Sequence, residues 1–178
     1  DRFVAAGGAS THGARYASDA LAAGAVAVLT DPDGAALVPS GVPIIVVADP
    51  RAVLGRLSVW FYDRPADALK TIGVTGTQGK TSTTFLIDAA LGEHHSGLIG
   101  SMGSKIDGVP VPTKLTTPEA PAMQALLARM REQGVRWVSS EVSSQAISMR
   151  RVDGLVFDVA VFLNLCLLYT SDAGRRRG

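Results

Sequence analysis

The sequence predicts an α/β protein with a small N-terminal α/β unit and a larger second unit built on a mostly parallel sheet. Three observations carry that expectation. Short β-branched runs alternate with helical stretches along the chain, the pattern of parallel strands joined by crossover helices and covered on both faces. A polar, proline-bearing break, Asp63-Arg64-Pro65-Ala66-Asp67, divides the chain. Directly after it, the β-branched run 69–75 opens into a glycine loop and then a helix start.

Taken in order, residues 14–23 read as a helix stopped by Gly24, and residues 25–29 as a buried strand ending at Asp31-Pro32. Residues 42–48 repeat the strand signal. Asp49-Pro50 starts a helix through Tyr62, with Val53, Leu54, Leu57 and Phe61 on one apolar face. Past the break, strand 69–75 leads to a helix from Lys80 to about Leu91 that carries Phe85, Leu86, Ala89 and Ala90 inward. A short strand at 97–100 follows, and Asp107-Gly108 marks a hairpin turn within 101–112. Thr117 reads as the N-cap of a helix with Pro118 in its first turn and Met123, Leu126, Leu127 and Met130 on the buried side, ending at Gly134. Strand 135–142, a short helix with Ile147 and a last strand within 155–163 complete the pattern.

Composition narrows the function. At 178 residues and 47% hydrophobic content the chain can bury a substantial core. Its net charge of +1 and two tryptophans give neither a basic field nor stacking platforms for nucleic acid. No apolar run approaches the roughly 18 residues of a membrane helix, and residues 1–30 lack a secretory signal, so a cytoplasmic protein without a membrane partner is expected. The single cysteine, Cys166, excludes an internal disulfide and a multi-cysteine metal site.

The chemistry concentrates in Gly76-Thr77-Gln78-Gly79-Lys80-Thr81-Ser82. Glycines at 76 and 79 can take backbone angles closed to other residues and let N–H groups approach phosphate oxygens, while the following helix points its partial positive end at them. Lys80 supplies a mobile charge for the β- and γ-phosphates, and Thr81 a hydroxyl for the Mg²⁺ that accompanies ATP. The general phosphate-loop pattern requires glycine where Val74 stands, so the fit is to a narrower variant, G-x-T-G-x-x-G-K-T. Ligands of open parallel sheets bind beyond the strands' carboxyl ends, where the loop, Glu141-Val142-Ser143-Ser144 and Asn164 should converge. Glu141, closing an apolar strand, is a candidate to hold the metal with Thr81. Lys80 and Glu141 are therefore the candidate catalytic residues. His12 and the His94-His95 pair lack the partners that acid–base or metal roles need.

Five segments occur in order: Gly76-Thr77-Gln78-Gly79-Lys80-Thr81, Leu115-Thr116-Thr117-Pro118-Glu119-Ala120-Pro121, Glu141-Val142-Ser143-Ser144, Arg151-Val152-Asp153-Gly154 and Phe162-Leu163-Asn164-Leu165. Together they resemble the Mur ligases of peptidoglycan synthesis, on the branch that adds the third, diamino residue. The resemblance implies a UDP-binding domain over residues 1–67 and a central ATP-binding domain over residues 68–165. It also implies amide synthesis by a monomer, in which ATP activates the carboxylate of a UDP-N-acetylmuramoyl dipeptide as an acyl phosphate and a diamino acid displaces phosphate. Thr116, Thr117, Ser143 and Arg151 would contact the UDP-sugar peptide, with Ser10 and Thr11 at the N-terminal loop. Thr117 and Ser143 are equally suited to helix capping, and Arg151 to a plain surface position.

Three departures stand out. Gln78 replaces the usual Asn, Ser or Asp, and Gln145 stands where the family motif has histidine. After Leu165 the family pattern stops, and residues 166–178 resemble translated adapter sequence on a truncated gene fragment. A fragment lacking the closing domain would not turn over. Two alternatives remain: a folate- or cyanophycin-type ligase of the same fold, and a non-catalytic nucleotide- or UDP-sugar-binding chain.

Overall fold

The structure, a computed structural model, describes residues 3–8, 11–92 and 95–166. Ser10, His94 and nearly all of the 166–178 tail lie outside the described residues. Two sheets stand on either side of the 63–67 break. The first is parallel and three-stranded, in the order β1 (Phe3–Val4), β2 (Val28–Thr30), β3 (Ile44–Val46). The short strand β1 carried no sequence signal, being only two residues long.

The expected helix 14–23 divides into a 3-10 turn, Gly13–Tyr16, and α1, Ala17–Ala22. The His12 ring accepts the Ala14 N–H and starts the tighter turn. Strand β2 begins later than expected, because the Ala25 N–H closes onto Ala20 O at the helix end. A short helix, α2 (Pro32–Ala35), follows, capped by Asp31. In α3 (Pro50–Phe61), Asp49 accepts from the N–H groups of Arg51 and Ala52, as a helix start requires. Its inward face differs from the apolar stripe: Phe61 is exposed, and Gly55 and Ser58 are buried. Small residues are needed there because Gly55 meets the backbone of Asp153.

The second sheet runs in the order β7-β6-β5-β8-β4-β9. Its strands are β4 (Lys70–Thr75), β5 (Ser96–Gly100), β6 (Gly103–Ile106), β7 (Val109–Val111), β8 (Trp137–Glu141) and β9 (Val159–Phe162). The four strands β5, β8, β4 and β9 are parallel; β6 and β7 turn back as an antiparallel hairpin. Asp107 and Gly108 both take positive φ at its tip, as an Asp-Gly hairpin turn demands. Helix α5 (Ala120–Glu132) buries Met123, Leu126, Leu127 and Met130 against Ile99, Ile106, Val135 and Val138, which makes the main core. Its N-cap is Glu119, not Thr117. At the edge, β9 leaves Val159 and Phe162 exposed.

Helix α4 (Lys80–Leu91) reverses the expected facing. Leu86, Ala89 and Ala90 are exposed, and Thr84 and Asp88 are buried. At Asp88 the reason is hydrogen bonding, since it accepts from Ser96 Oγ at 2.6 Å; at Thr84 the hydroxyl is satisfied within the helix by Thr81 O at 2.9 Å, and Ser139 Oγ donates to the Thr84 main-chain carbonyl at 3.3 Å. A polar side chain with a partner across the interface, and one whose hydroxyl is satisfied locally, displace the apolar face that periodicity alone selects.

Candidate active site

Strand β4 ends at Thr75, and the chain turns through Gly76 (φ 142°) and Gly79 (φ 87°), left-handed geometry that favours glycine, before α4 begins. The Thr83 N–H bonds to Gly79 O, so the N–H groups of Lys80, Thr81 and Ser82 stand ahead of the first helical bond and are open to an anion. Lys80 Nζ folds onto its own loop, donating to Gly76 O at 2.6 Å and lying 3.4 Å from Thr77 O. Thr77 and Gln78 are held from outside the loop. Asn164 accepts the Gln78 N–H at 3.0 Å and returns its amide to Gln78 O at 3.1 Å, while Asn164 O takes the Thr77 N–H. Gln78 thus takes part through its backbone.

Glu141 lies at the end of β8, two strands from β9 with β4 between. Its carboxylate is 1% exposed and has no ion pair among the described residues. Oε2 accepts from Thr81 Oγ1 at 3.1 Å; Oε1 accepts from the Ser101 N–H at 2.9 Å and from Ser101 Oγ at 3.1 Å. Thr81 Oγ1 and Ser101 Oγ are 2.9 Å apart. A buried carboxylate among hydroxyls, without a cationic side chain, costs several kcal/mol (roughly) and is a natural seat for a hard cation. No cluster of three His, Cys, Asp or Glu residues is present among the described residues. Ser101 was missed in the sequence; the only signal was its place just after a buried strand.

The main chain of Glu141 faces a second group. Thr117 is fully buried, and its hydroxyl donates to Glu141 O at 2.8 Å and accepts the Ser143 N–H at 3.2 Å. Thr117 therefore caps no helix, whereas Ser143 does: its Oγ accepts the Ala146 N–H and caps α6 (Ser144–Ser148). Arg151 is no surface arginine: its side chain is 11% exposed, donates to Glu119 Oε1 at 2.9 Å and reaches Thr117 O at 3.4 Å. Thr116 is half-buried beside them, and Gln145 is exposed on α6. A groove of about 480 Å³ runs beside this group, lined by Lys114, Leu115, Pro118, Glu119 and Arg129 among others. Thr11 stands apart on the first sheet's loop, exposed, with its carbonyl accepting the Gly8 N–H. Next to it, His12 bonds Asp31, whose carboxyl is held below the usual range by the Gly34 N–H and by His12.

A glycine loop at the carboxyl end of a parallel strand, an open helix start and a buried carboxylate hydrogen-bonded to the first helical hydroxyl define a phosphate-loop α/β domain. The sequence pattern of the Mur ligase middle domain matches residues 74–166, and that described as Mur ligase family, catalytic domain, matches residues 1–62. The chain belongs to the Mur ligase family.

Its relatives agree. It is 53% identical over 168 residues to the UDP-N-acetylmuramoyl-L-alanyl-D-glutamate--2,6-diaminopimelate ligase of Corynebacterium glutamicum, covering 92% of this chain and 32% of that one. It is 51% identical over 168 residues to the UDP-N-acetylmuramyl-tripeptide synthetase of Leifsonia xyli subsp. xyli, covering 93% of this chain and 33% of that one. A solved UDP-N-acetylmuramoyl-L-alanyl-D-glutamate--2,6-diaminopimelate ligase superposes with a TM-score of 0.69 at 28% identity, over 90% of this chain and 32% of the other. A MurF ligase from Thermotoga maritima, solved in complex with ADP, shares the fold with a TM-score of 0.59 at 20% identity, over 92% of this chain and 34% of the other. The chain spans about a third of the length of the curated relatives it matches. No helix among the described residues is long and apolar enough to cross a membrane.

Proposed function

We propose that this chain supplies the nucleotide-holding part of an ATP-dependent ligase that adds diaminopimelate to UDP-N-acetylmuramoyl-L-alanyl-D-glutamate in the cytoplasm. The observation that carries the reading is the pairing of an open phosphate loop with the buried, cation-free carboxylate of Glu141 at Thr81. The names of the similar ligases supply the substrate and the amino acid.

In this reading a carboxylate oxygen of the peptide attacks the γ-phosphorus of ATP, and ADP leaves. The amine then attacks the acyl carbon; phosphate leaves and a proton is lost. The chain's contribution is positioning and charge neutralisation. The N–H groups of residues 80–82 and the Lys80 ammonium bind phosphate oxygens, Lys80 exchanging its loop carbonyls for them. Mg²⁺, held by Thr81 and Glu141, would supply neutralisation of the charge developing on the phosphates. Arg151, Thr116 and the Ser143 segment would contact the carboxylate- and phosphate-rich substrate, with Thr117 fixing that segment to the end of β8 and Glu119, the partner of Arg151, lining the groove alongside. Ser10 and Thr11 would meet the UDP portion.

Two measurements test it. The chain should bind ADP in the presence of Mg²⁺ by calorimetry. The complete gene product should release phosphate from ATP only when both the UDP-muramoyl dipeptide and a diamino acid are present. No release with either diaminopimelate or lysine would refute the ligase assignment.

A further inference from the structure

We propose that Ser101, the residue following β5, is a positioning residue that fixes which oxygen of Glu141 is offered to a cation. This rests on the nucleotide and Mg²⁺ reading above and goes further, because neither the glycine-loop motif nor the Glu-Val-Ser-Ser segment includes Ser101.

The two carboxylate oxygens are held unequally. Oε1 takes two donors from one residue, the rigid Ser101 N–H at 2.9 Å and the Ser101 hydroxyl at 3.1 Å. Oε2 takes only the Thr81 hydroxyl, at 3.1 Å. A carboxylate oxygen already accepting two hydrogen bonds has little lone-pair capacity left, so Oε2 is the oxygen free to take a metal ion.

The proton count points the same way. Thr81 Oγ1, Ser101 Oγ and the carboxylate make three oxygen–oxygen contacts, at 2.9, 3.1 and 3.1 Å. With the carboxylate ionised, only two hydroxyl hydrogens serve them. One contact therefore sets lone pair against lone pair, an arrangement that a cation at Thr81 Oγ1 and Glu141 Oε2 relieves.

Gly100 completes the device. A Cβ there would collide with Glu141 Oε1, so β5 must end in a residue without a side chain for the carboxylate to settle onto the Ser101 N–H. Ser101 is itself exposed and outside both core clusters, so its hydroxyl can be removed without opening a cavity.

The test is calorimetric titration of the 178-residue chain with ADP, with Mg²⁺ and with EDTA. Wild type should bind ADP more tightly with Mg²⁺. Ser101→Ala should lose about tenfold of that Mg²⁺-dependent tightening, the worth of one hydrogen bond to a charged group, with the EDTA affinity unchanged. Ser101→Thr should restore it, and Gly100→Ala should reproduce the loss by displacing the carboxylate. An unchanged Mg²⁺ enhancement in Ser101→Ala overturns the proposal, as does an equal weakening with and without Mg²⁺, which would mark a merely structural residue. A wild-type chain that binds ADP without any Mg²⁺ effect overturns both this proposal and the site reading beneath it.

Discussion

Replacing Thr117 by valine separates two jobs that the Thr-Thr-Pro segment could do. The side chain is fully buried, and its hydroxyl joins Glu141 O at 2.8 Å to the Ser143 N–H at 3.2 Å. Valine has nearly the same volume, so no cavity forms and the change isolates the two hydrogen bonds. The Glu141 carbonyl is buried and loses its donor, whereas the half-buried Ser143 segment can regain water; the sum is a loss of about 2 kcal/mol. For a chain of this size that corresponds to a fall in melting temperature of roughly 4–8 °C. Thr117→Ser, which keeps the hydroxyl, should lose only about half as much. Thermal unfolding followed by circular dichroism reads both, and titration with UDP-muramoyl dipeptide gives the second axis. If Thr117→Val melts with wild type yet no longer binds the dipeptide, the hydroxyl serves the ligand directly and its assignment as a structural tie is wrong.

Three further outcomes are expected. Lys80→Ala should weaken ADP binding at least tenfold (about 1.4 kcal/mol) and leave the melting temperature within a degree or so, since the ammonium contacts only its own loop carbonyls. Asn164→Ala should cut the two side-chain ties to Gln78 and weaken ADP binding by a factor of roughly three to ten, with Asn164→Asp no better because its second oxygen would face Gln78 O. Asp158 is held down to about 2 from 3.8 by the Thr71 N–H and by Lys70. Its contribution to stability is therefore complete above pH 3.8 and disappears as pH falls through 2, so Asp158→Asn should flatten the acid limb of a melting-temperature profile over that window. An unchanged limb would show that the Thr71 contact does not survive in solution.

The strand-to-helix glycine loop, the Asp-Gly hairpin and the buried face of α5 could be read directly, because each depends on local chemistry: backbone angle, turn type, or apolar spacing. The facing of α4 could not. Asp88 turns inward because its partner, Ser96, lies on another strand, and no pattern within the helix records a partner elsewhere. Thr117 misled for a related reason, since a threonine before a proline looks like a cap, while the structure spends its hydroxyl on β8. From the sequence Arg151 reads as a substrate contact or else a plain surface residue, and its ion pair with Glu119, 32 residues away, is not foreseen. That Thr81 and Glu141 would meet was legible from residue type and strand position. Ser101 and the Gly100 requirement appear only when β5 lies next to β8.

The polar underside of α4 has a mechanical consequence. A helix seated on grease can slide or roll by a fraction of a turn at little cost, because dispersion contacts have no direction. This helix is keyed instead. Asp88 on Ser96 and Ser139 on Thr84 are directional bonds at separate points along its length, and sliding breaks both. The aim of the Lys80–Ser82 amides is thus governed partly from the opposite end of the rod, near Asp88, and a substitution there would turn those amides without touching them.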